Sequence, residues 1–410
     1  MVRSGITAKR ILRAPQLRGA NRAALLSLLQ QNEVMSRADI SRQSGLSEGA
    51  VSRIITGLMK DGLVHEDGAE NSTGGRPGRR LKLAPKRVVF GAEIENWETR
   101  CSVSTLLGRI VETRRFRTPA SAEEALERVA ETFHLFRKEL GADRLPGAGI
   151  CARGIVNSDT GMLVLGNRPE WKHIPIRKFL EARIREPVFV ENNVRAAALA
   201  EYTYGAAEML GRRCFVFVKV DEGVGMSVLF DGKLYHGPHM AAGEFGQMVV
   251  QTSNGNERHD RPGCLERLIA NPVICNRYAE LSGSKRQTGG GDTAARVRRI
   301  AQWAASGDTV ARQVLEEAAQ YLAVGISNVV WGLDADAIVI DGPITEDWRL
   351  VEPLLRQQLP DDSDLWGSRN LLVRPSAFSG EAALIGAAAL PLASIFARGA
   401  SMPSAIRASR

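Results

Sequence analysis

Two adjacent amides are the first residues in this sequence whose position suggests chemistry. Asn192 and Asn193 end the strand-like run VFVEN and precede the Ala-rich, helix-like run RAAALAEYTYGAA. In α/β folds, the junction between a strand and the next helix is where ligands and catalytic groups lie. An amide forms hydrogen bonds with a polar ligand, but it has no basic lone pair near neutral pH. Two amides without a carboxylate are unusual for a catalyst, so the junction is either an enzyme site or a site that has lost its chemistry.

Positive charge is concentrated in the first fifth of the chain. Residues 1–87 contain 16 Lys and Arg against 7 Asp and Glu, whereas the full chain of 410 residues contains 54 and 46. The remainder of the chain is therefore almost neutral. A basic module on a neutral body predicts a polyanionic partner, double-stranded DNA, for that module alone.

The composition argues against membrane and secreted classes. No apolar run approaches the ~20 residues of a membrane span, and the basic N-terminus has no apolar core of a secretory signal. The five cysteines are odd in number, dispersed and without a CxxC pair, which is typical of a reducing compartment. We therefore expect a cytoplasmic protein that does not associate with membranes.

The basic module has the pattern of a helix-turn-helix. Ser36 and Asp39 form an S-x-x-D capping pattern at the start of one helix, which Gly45 can end. A preceding helix is predicted to begin at Asn21, and a following helix at Ser47. Apolar residues of that last helix recur at helical spacing: Val51, Ile54, Ile55 and Leu58. In this layout the second of two short helices joined by a glycine turn enters the major groove.

Polar residues on this module are candidates for contact with DNA. Small residues near the start of the last helix allow close approach, and Arg53 can bind a phosphate or a guanine edge. The segment 73–83 reads as a β-ribbon wing whose Gly-Arg-Pro-Gly tip suits a narrow minor groove, the alternative being a solvated linker. The predicted DNA-binding residues are Ser36, Arg37, Ser47, Glu48, Ser52, Arg53, Arg76, Arg79 and Arg80.

From Val88 onward, strand-like and helix-like segments alternate, and five motifs stand out. They are VENNVRAAALAE, DEGVG, GEFGQ, GCLE and DGP. Together they resemble the ROK family of sugar kinases and sugar-responsive repressors. The resemblance extends over essentially the whole chain, because SRADISRQSGLSEGAVSRIITGLMKDGLV and GRPGRRLKL are similar to the winged-helix domain of the repressor branch.

Trp97 and Trp171 are interpreted as packing residues.

The resemblance implies an α/β fold class with several domains. An N-terminal winged helix-turn-helix is expected to precede a two-lobed actin/hexokinase-like (ribonuclease H-like) ROK body with a ligand cleft between its lobes. The expected units are a basic flexible N-terminus (1–20), the winged helix-turn-helix (21–85), lobe 1 (86–198 plus 380–396), lobe 2 (199–379) and a frayed C-terminus (397–410).

The resemblance also implies that catalysis has been lost. Family kinases resemble E-N-D-A-N at the opening junction, and their Asp takes the proton from the sugar hydroxyl; this chain has Asn193 there. Losing such a base costs ~10²–10⁴ in rate. The glycine-rich phosphate loops of the family are replaced by acidic ones, with Glu95 and Glu98 in the first and Asp221 and Glu222 in the second. Their charges would repel a triphosphate unless Mg²⁺ bridged them. We expect no catalytic residue and no phosphoryl transfer.

The sugar side of the family's site is better retained. The resemblance places effector-binding residues at Asn192, Asn193, Glu244, Gln247 and Glu266. Carboxylates and amides that face a cleft can accept hydrogen bonds from vicinal hydroxyl groups, so a sugar or sugar-derivative effector is expected. The alternative for the two glutamates is ordinary capping or ion pairing.

A family zinc site of one His and three Cys is largely absent. Only Cys264 is retained, while His259 and Glu257 stand at two cysteine positions and Gln247 stands at the histidine. A closed zinc site needs four soft ligands. We expect no cofactor and no structural zinc, and His259 and Cys264 are the only weak candidates for metal ligands.

The sequence thus predicts a transcription regulator, and more specifically a repressor. It is expected to sense carbohydrate and to act as a homodimer or tetramer on double-stranded DNA. Two alternatives stay open. One is an ATP-dependent sugar kinase with a DNA-binding appendage. The other is a repressor without a small-molecule effector.

Overall fold

The computed structural model describes residues 14–69, 79–85, 87–141, 145, 147–206, 209, 211–251, 263–283, 292–359 and 371–397. Two predicted site residues, Arg76 and His259, lie outside these ranges. Within the described ranges, every helix is either too short or too polar to cross a lipid bilayer.

The described part of the N-terminal module has three helices and a small sheet. Its elements are α1 (Ala14–Asn32), β1 (Met35–Ser36), α2 (Arg37–Ser44), α3 (Glu48–Lys60), β2 (Val64–Ala69) and β3 (Arg79–Leu83). The sheet is antiparallel in the order β1-β3-β2, so β2 and β3 form the predicted wing. The winged helix-turn-helix fold is confirmed.

The prediction that Asn21 begins the first helix was wrong. The helix α1 begins at Ala14, so Asn21 lies in its interior, and residues 14–20 are helical although they were assigned to a flexible terminus. Pro15 is compatible with this start because the first turn of a helix leaves its amide hydrogens unpaired.

The described body contains two five-stranded sheets with one topology. The first is formed by β4 (Val88–Ile94), β5 (Glu98–Thr105), β6 (Ile110–Arg117), β7 (Ala148–Ala152) and β11 (Val188–Asn192). Its order is β11-β7-β4-β5-β6. An antiparallel β4-β5-β6 meander is joined through β4 to the parallel strands β7 and β11.

The second sheet repeats this arrangement. It is formed by β12 (Cys214–Val220), β13 (Val224–Phe230), β14 (Lys233–Leu234), β15 (Ala337–Asp341) and β16 (Leu372–Pro375). The order β14-β13-β12-β15-β16 again joins an antiparallel meander to two parallel strands. The duplication confirms the predicted actin/hexokinase-like fold.

The remaining described elements lie between or around the sheets. A separate antiparallel sheet has the strands β8 (Gly154–Asn157), β9 (Met162–Gly166) and β10 (Lys172–Ile174). The helices are α4 (Ala122–Leu140), α5 (Ile176–Ile184), α6 (Asn193–Tyr204), α7 (Glu266–Ile269), α8 (Asn271–Ser282), α9 (Thr293–Ala305), α10 (Thr309–Leu333), α11 (Trp348–Gln358) and α12 (Ala382–Ala397).

Alternating side chains of each sheet pack against different helices. In the second sheet, Val216 and Val218 face the core shared with α8 to α11, whereas Phe215 and Phe217 face α6 and α12. In the first sheet, Phe90 packs against α4, and α12 covers the opposite face. The helices α6 and α12 therefore lie between the two sheets, and the predicted lobe boundary after residue 198 falls within α6.

Glycine allows α12 to lie directly on the first sheet. Gly91 of β4 and Gly149 of β7 are paired across the two strands. A Cβ atom at position 149 would lie 1.8 Å from the carbonyl oxygen of Ala387 on α12, and one at position 386 would lie 1.8 Å from that of Ala196 on α6. These contacts between backbones fix how α6 and α12 cross.

The two tryptophans behave differently. Trp171 is buried, as its interpretation as a packing residue requires. The interpretation was wrong for Trp97, which is 70% exposed. It lies in the turn between β4 and β5, where the chain leaves the core.

Candidate functional sites

The start of α2 is fixed by the predicted capping box. The Ser36 hydroxyl accepts a hydrogen bond from the Asp39 backbone at 3.2 Å, and the Asp39 carboxylate accepts one from the Ser36 backbone. Hydrogen bonding from Ser36 holds the pKa of Asp39 below its usual value. At the other end Gly45 adopts a φ of 69°. Because Ser36 is buried and its hydroxyl is used in this cap, its geometry is that of a structural residue.

The helix α3 separates a buried face from a polar face. The Ser47 side chain caps its first turn by accepting a hydrogen bond from Ala50. Three residues of the predicted apolar stripe are buried: Val51, Ile55 and Leu58. Glu48 and Arg53 are exposed on the other side, and Ser52 is half-buried. The predicted contact residues of α3 thus share an accessible surface near its N-terminal half.

An ion-pair cluster attaches the base of the wing to α2. Glu66 of β2 accepts hydrogen bonds from Arg37 of α2, at 3.1 Å, and from Arg79 of β3. The hydrogen bond from Arg79 and the positive charges of Arg79 and Arg37 lower the pKa of Glu66. Arg80 is exposed on the same strand. Two of the predicted wing and helix arginines therefore orient the wing, while Arg80 presents its charge outward.

In the body, Asn192 is a structural residue at the start of α6. Its side-chain oxygen accepts hydrogen bonds from the backbone of Val194 at 2.8 Å and Arg195 at 3.1 Å. Its amide nitrogen donates to the carbonyl of Gly154 at 2.9 Å. These bonds satisfy the free N–H groups of the helix terminus. Asn192 therefore holds the junction in shape.

Asn193 is buried, and its side chain is hydrogen-bonded to Glu95 of the first acidic loop. Its amide nitrogen donates to Glu95 Oε1 at 2.8 Å, and the other carboxylate oxygen of Glu95 lies 3.6 Å from Arg153. Burial raises the pKa of Glu95, although the nearby Lys219 and Arg153 oppose the shift. The position where family kinases hold a base is thus occupied by a hydrogen-bond donor.

The two predicted glutamates lie in the second half of the body, Glu244 before the helical turn Phe245–Gln247 and Glu266 at the start of α7. Glu266 accepts a hydrogen bond from the Val224 backbone at 2.9 Å. A Cβ atom at Gly223 would lie 2.7 Å from Glu266 Oε2 and 3.0 Å from an Arg153 nitrogen, so Glu266 and Arg153 approach the same point. Burial and the charge of Glu266 raise the pKa of Glu244.

These contacts connect three of the predicted effector residues, Asn193, Glu244 and Glu266. Glu244 and Gln247 are exposed; Glu244 precedes the single helical turn Phe245–Gln247 and Gln247 ends it. Asn193 is thus linked through Glu95 and Arg153 to the surroundings of Glu266, whose charge acts on Glu244. Arg153 joins them although the sequence reasoning missed it. Its signal was its place directly after the strand β7, which runs parallel to β11 and ends at the same edge.

Sequence reasoning also left the role of Arg195 unresolved. Arg195 is buried in the first turn of α6 and bonds Glu191 at 2.6 Å. It further donates to the carbonyls of Met240 at 3.0 Å and Val156 at 2.9 Å. His236 contacts the other oxygen of Glu191 at 2.8 Å. Burial would raise the pKa of Glu191, but His236 and Arg195 outweigh it and hold the pKa below its usual value.

A buried lysine joins the two acidic loops. Lys219, at the end of β12, is 9% exposed and its ammonium lies 3.7 Å from Asp221. Burial would lower the pKa of Lys219, but the negative charges of nearby carboxylates outweigh burial and raise the pKa. These carboxylates belong to Asp221, Glu95, Glu93 and Asp341. The sequence signal was a lone lysine in the apolar strand CFVFVKV.

The acidic side chains of the second loop are engaged within the protein. Asn271 donates to Asp221 Oδ1 at 2.9 Å, and Thr293 donates to Glu222. In the family's kinases the corresponding loop is expected to hold phosphate on backbone N–H groups. Here it is held by side-chain hydrogen bonds and the Lys219 ion pair.

Of the two predicted metal candidates, Cys264 alone lies in the described part of the chain. Cys264 is buried and its backbone bridges to Val249, while Gln247 is exposed. In the described part of the chain, no three His, Cys, Asp or Glu side chains are grouped as metal ligands would be. His259 and Glu257 lie outside that part.

Most of the chain is similar to known families and proteins. Residues 89–393 match the model of the ROK family, and residues 20–65 match that of winged helix-turn-helix DNA-binding domains. The xylose repressor of Caldicellulosiruptor bescii is 24% identical over 386 residues, which cover 91% of this chain and 96% of that protein. The DNA-binding transcriptional dual regulator NagC of Escherichia coli K12 is 25% identical over 343 residues, 82% and 83% of the two chains.

Solved structures give the same picture of the fold. A ROK family transcriptional regulator, a homologue of the E. coli MLC protein, superposes with a TM-score of 0.77 at 22% identity, covering 93% of this chain and 97% of its own. The ROK hexokinase of Thermus thermophilus has a TM-score of 0.60 at 25% identity and covers 75% of this chain and 99% of its own.

Proposed function

Because this chain belongs to the ROK family and begins with a winged helix-turn-helix DNA-binding domain, we propose that it is a transcription repressor released by a sugar or sugar-derived effector. The observation that carries the proposal is the pairing of two features. The face of α3 with Ser47, Ser52 and Arg53 is accessible to DNA, and the kinase-like cleft has Asn193 in place of a base.

The proposal treats the body as a sensor without phosphoryl-transfer activity. Asn193 donates a hydrogen bond to Glu95 and cannot accept a proton from a sugar hydroxyl. Lys219 and its surrounding carboxylates join the two loops that would contact nucleotide phosphates. Binding a triphosphate there would break buried ion pairs and bring like charges together.

The effector is proposed to bind in the cleft around Asn193, Glu244 and Glu266. Relatives that share most of their length with this chain are named after xylose and N-acetylglucosamine. A neutral sugar of this kind can donate hydroxyl hydrogens to the carboxylates of Glu244 and Glu266. The repressor is proposed to act in the cytoplasm as a homodimer or tetramer on a two-fold operator, because paired helix-turn-helix modules read two half-sites.

A gel shift tests the DNA-binding face. The probe is a duplex selected by the full-length protein from a random pool, at fixed salt. Arg53→Ala should lose ~1–3 kcal/mol of binding free energy, since it removes a groove or phosphate contact. Lys60→Ala is the matched control, because Lys60 is exposed in the last turn of the same helix. Equal affinities of Arg53→Ala and the unmodified protein would remove α3 from the proposed interface.

Turnover and thermal-shift assays test the body. ATP with xylose, glucose or N-acetylated hexosamines should give no phosphorylated sugar above an enzyme-free control. At least one sugar of the panel should raise the melting temperature and weaken DNA binding, because a ligand selective for the folded state stabilises it. Efficient phosphorylation would support the kinase alternative. Absence of any melting shift together with unchanged DNA binding would support a repressor without an effector.

A further inference from the structure

The DNA-binding module shares one apolar core with part of the body. Leu25, Leu26 and Leu29 of α1 belong to the same buried cluster as Leu106 of the turn between β5 and β6. The cluster also contains residues of α12, namely Ala388, Ala389 and Leu392. Two residues of α6, Leu199 and Tyr204, pack against it. The module is therefore packed onto α6, α12 and the first sheet as a continuous body.

Polar contacts fix the C-terminal end of α6 in that core. The side chain of Gln30 on α1 donates to the Leu106 carbonyl at 2.9 Å and lies beside the Tyr204 side chain. The Tyr204 ring lies directly beneath Gly108, where an added Cβ would approach it to 2.8 Å. Burial raises the pKa of Tyr204, so its hydroxyl stays neutral.

The N-terminal end of the same helix lies in the proposed effector cleft. Its first turn carries the bond of Asn193 to Glu95 and the bond of Arg195 to the Met240 carbonyl. Met240 belongs to the segment that leads from β14 to Glu244, so both sides of the cleft contact this turn. The 12 residues of α6 span about 18 Å at the usual rise per residue.

We propose that α6 couples the cleft to the DNA-binding module, with Gln30 and Tyr204 as the coupling residues. The inference rests on the proposed function, because it concerns regulation through the same cleft. A ligand that competes for Asn193 or displaces the Met240 segment changes the contacts of the first turn of α6. The helix is stiff and crosses α12 by backbone contact, so a shift at its start reaches Tyr204. The ligand changes the affinity for DNA only if it binds one arrangement of α6 more tightly than the other.

A double-mutant cycle tests the coupling without a known effector. The DNA is the duplex selected from the random pool. Asn193→Ala mimics a change at the cleft end, and Gln30→Ala removes the contact at the other end. Asn193→Ala should change the dissociation constant for DNA at least about threefold in the unmodified background and less than about 1.5-fold with Gln30→Ala. Asn32→Ala is the matched control, because within the described ranges this α1 amide donates to the Leu28 carbonyl of its own helix.

The Asn32→Ala background should retain the full response to Asn193→Ala. Additive effects in the cycle, or no effect of Asn193→Ala on DNA affinity, would overturn the inference. Hydrogen exchange supplies a readout that needs neither DNA nor effector. Asn193→Ala should speed exchange in residues 20–32 of the full chain, and Gln30→Ala should abolish that difference. If no duplex is bound, the proposed function fails while the exchange experiment still decides the coupling.

Discussion

Charged side chains are handled in opposite ways in the DNA-binding module and in the cleft. In the module, Arg53 and Arg80 lie on the surface of an apolar core. In the cleft, Lys219, Arg195 and Glu93 lie inside the protein, where they contact groups of opposite charge. Exposed charges add little to stability and stay available to a partner, whereas buried charges must be paired. Function should therefore separate from stability in the module but not in the cleft.

The largest effect should follow removal of the buried lysine. Lys219→Met keeps much of the side-chain volume but leaves the surrounding carboxylates without their cation. Breaking a buried charge cluster in this way costs ~3–5 kcal/mol. We expect a lower urea midpoint for unfolding of the full chain, with the loss concentrated in the body.

Lys233→Met is the matched control for this prediction. Lys233 is exposed on β14 of the same sheet, and its substitution should change the free energy of unfolding by less than ~0.5 kcal/mol. Equal midpoints for the two variants would mean that the buried carboxylates do not need Lys219 for stability. Charge in the cleft would then be no more important for folding than charge on the surface of the module.

The contrast extends to carboxyl groups and predicts a pH effect. Burial raises the pKa of Glu201 on α6 to about 7, from a usual value of 4.5. A raised pKa favours the folded state while the group is protonated. Its contribution is therefore complete below pH 4.5 and is lost as the pH rises through about 7, a change of roughly 3 kcal/mol.

Glu201→Gln keeps an acceptor for Ser376 and Ala377 but cannot ionise. The difference in unfolding free energy between this variant and the unmodified protein should therefore grow in favour of the variant from pH 5 to pH 8. A difference that does not change with pH would place the carboxyl in a better solvated site. In the module, the pKa of Glu66 is lowered by arginines, so Glu66 should show no such loss at rising pH.

Sequence patterns were sufficient where local rules decide the structure. The caps at Ser36 and Ser47, the left-handed Gly45 and the buried stripe of α3 depend on neighbours in the chain. The family motifs also located the junction at Asn193. These features could be predicted because spacing of a few residues determines which groups meet.

Long-range contacts explain most of what the sequence did not disclose. Arg153 and Lys219 acquire their roles from partners on other strands, which only the topology brings near. The start of α1 was misplaced because Asn21 has the character of a cap, yet the helix extends back to Ala14. Trp97 was assigned to the core by its residue type, while its turn exposes it.

The smallest predicted effect separates structure from contact within the module. Ser36 was predicted to touch DNA, but its hydroxyl caps α2 and is buried. Ser36→Ala should cost ~1 kcal/mol of local stability, the usual loss for such a cap, measured by hydrogen exchange of the α2 amides. Ser36→Thr retains the hydroxyl and should lie close to the unmodified protein. Below the melting transition, DNA affinity of Ser36→Ala should stay within about twofold, since only exposed side chains of the module reach the duplex. A tenfold loss of affinity with unchanged exchange would instead make Ser36 a contact residue and would show that a buried polar group of the module can serve recognition.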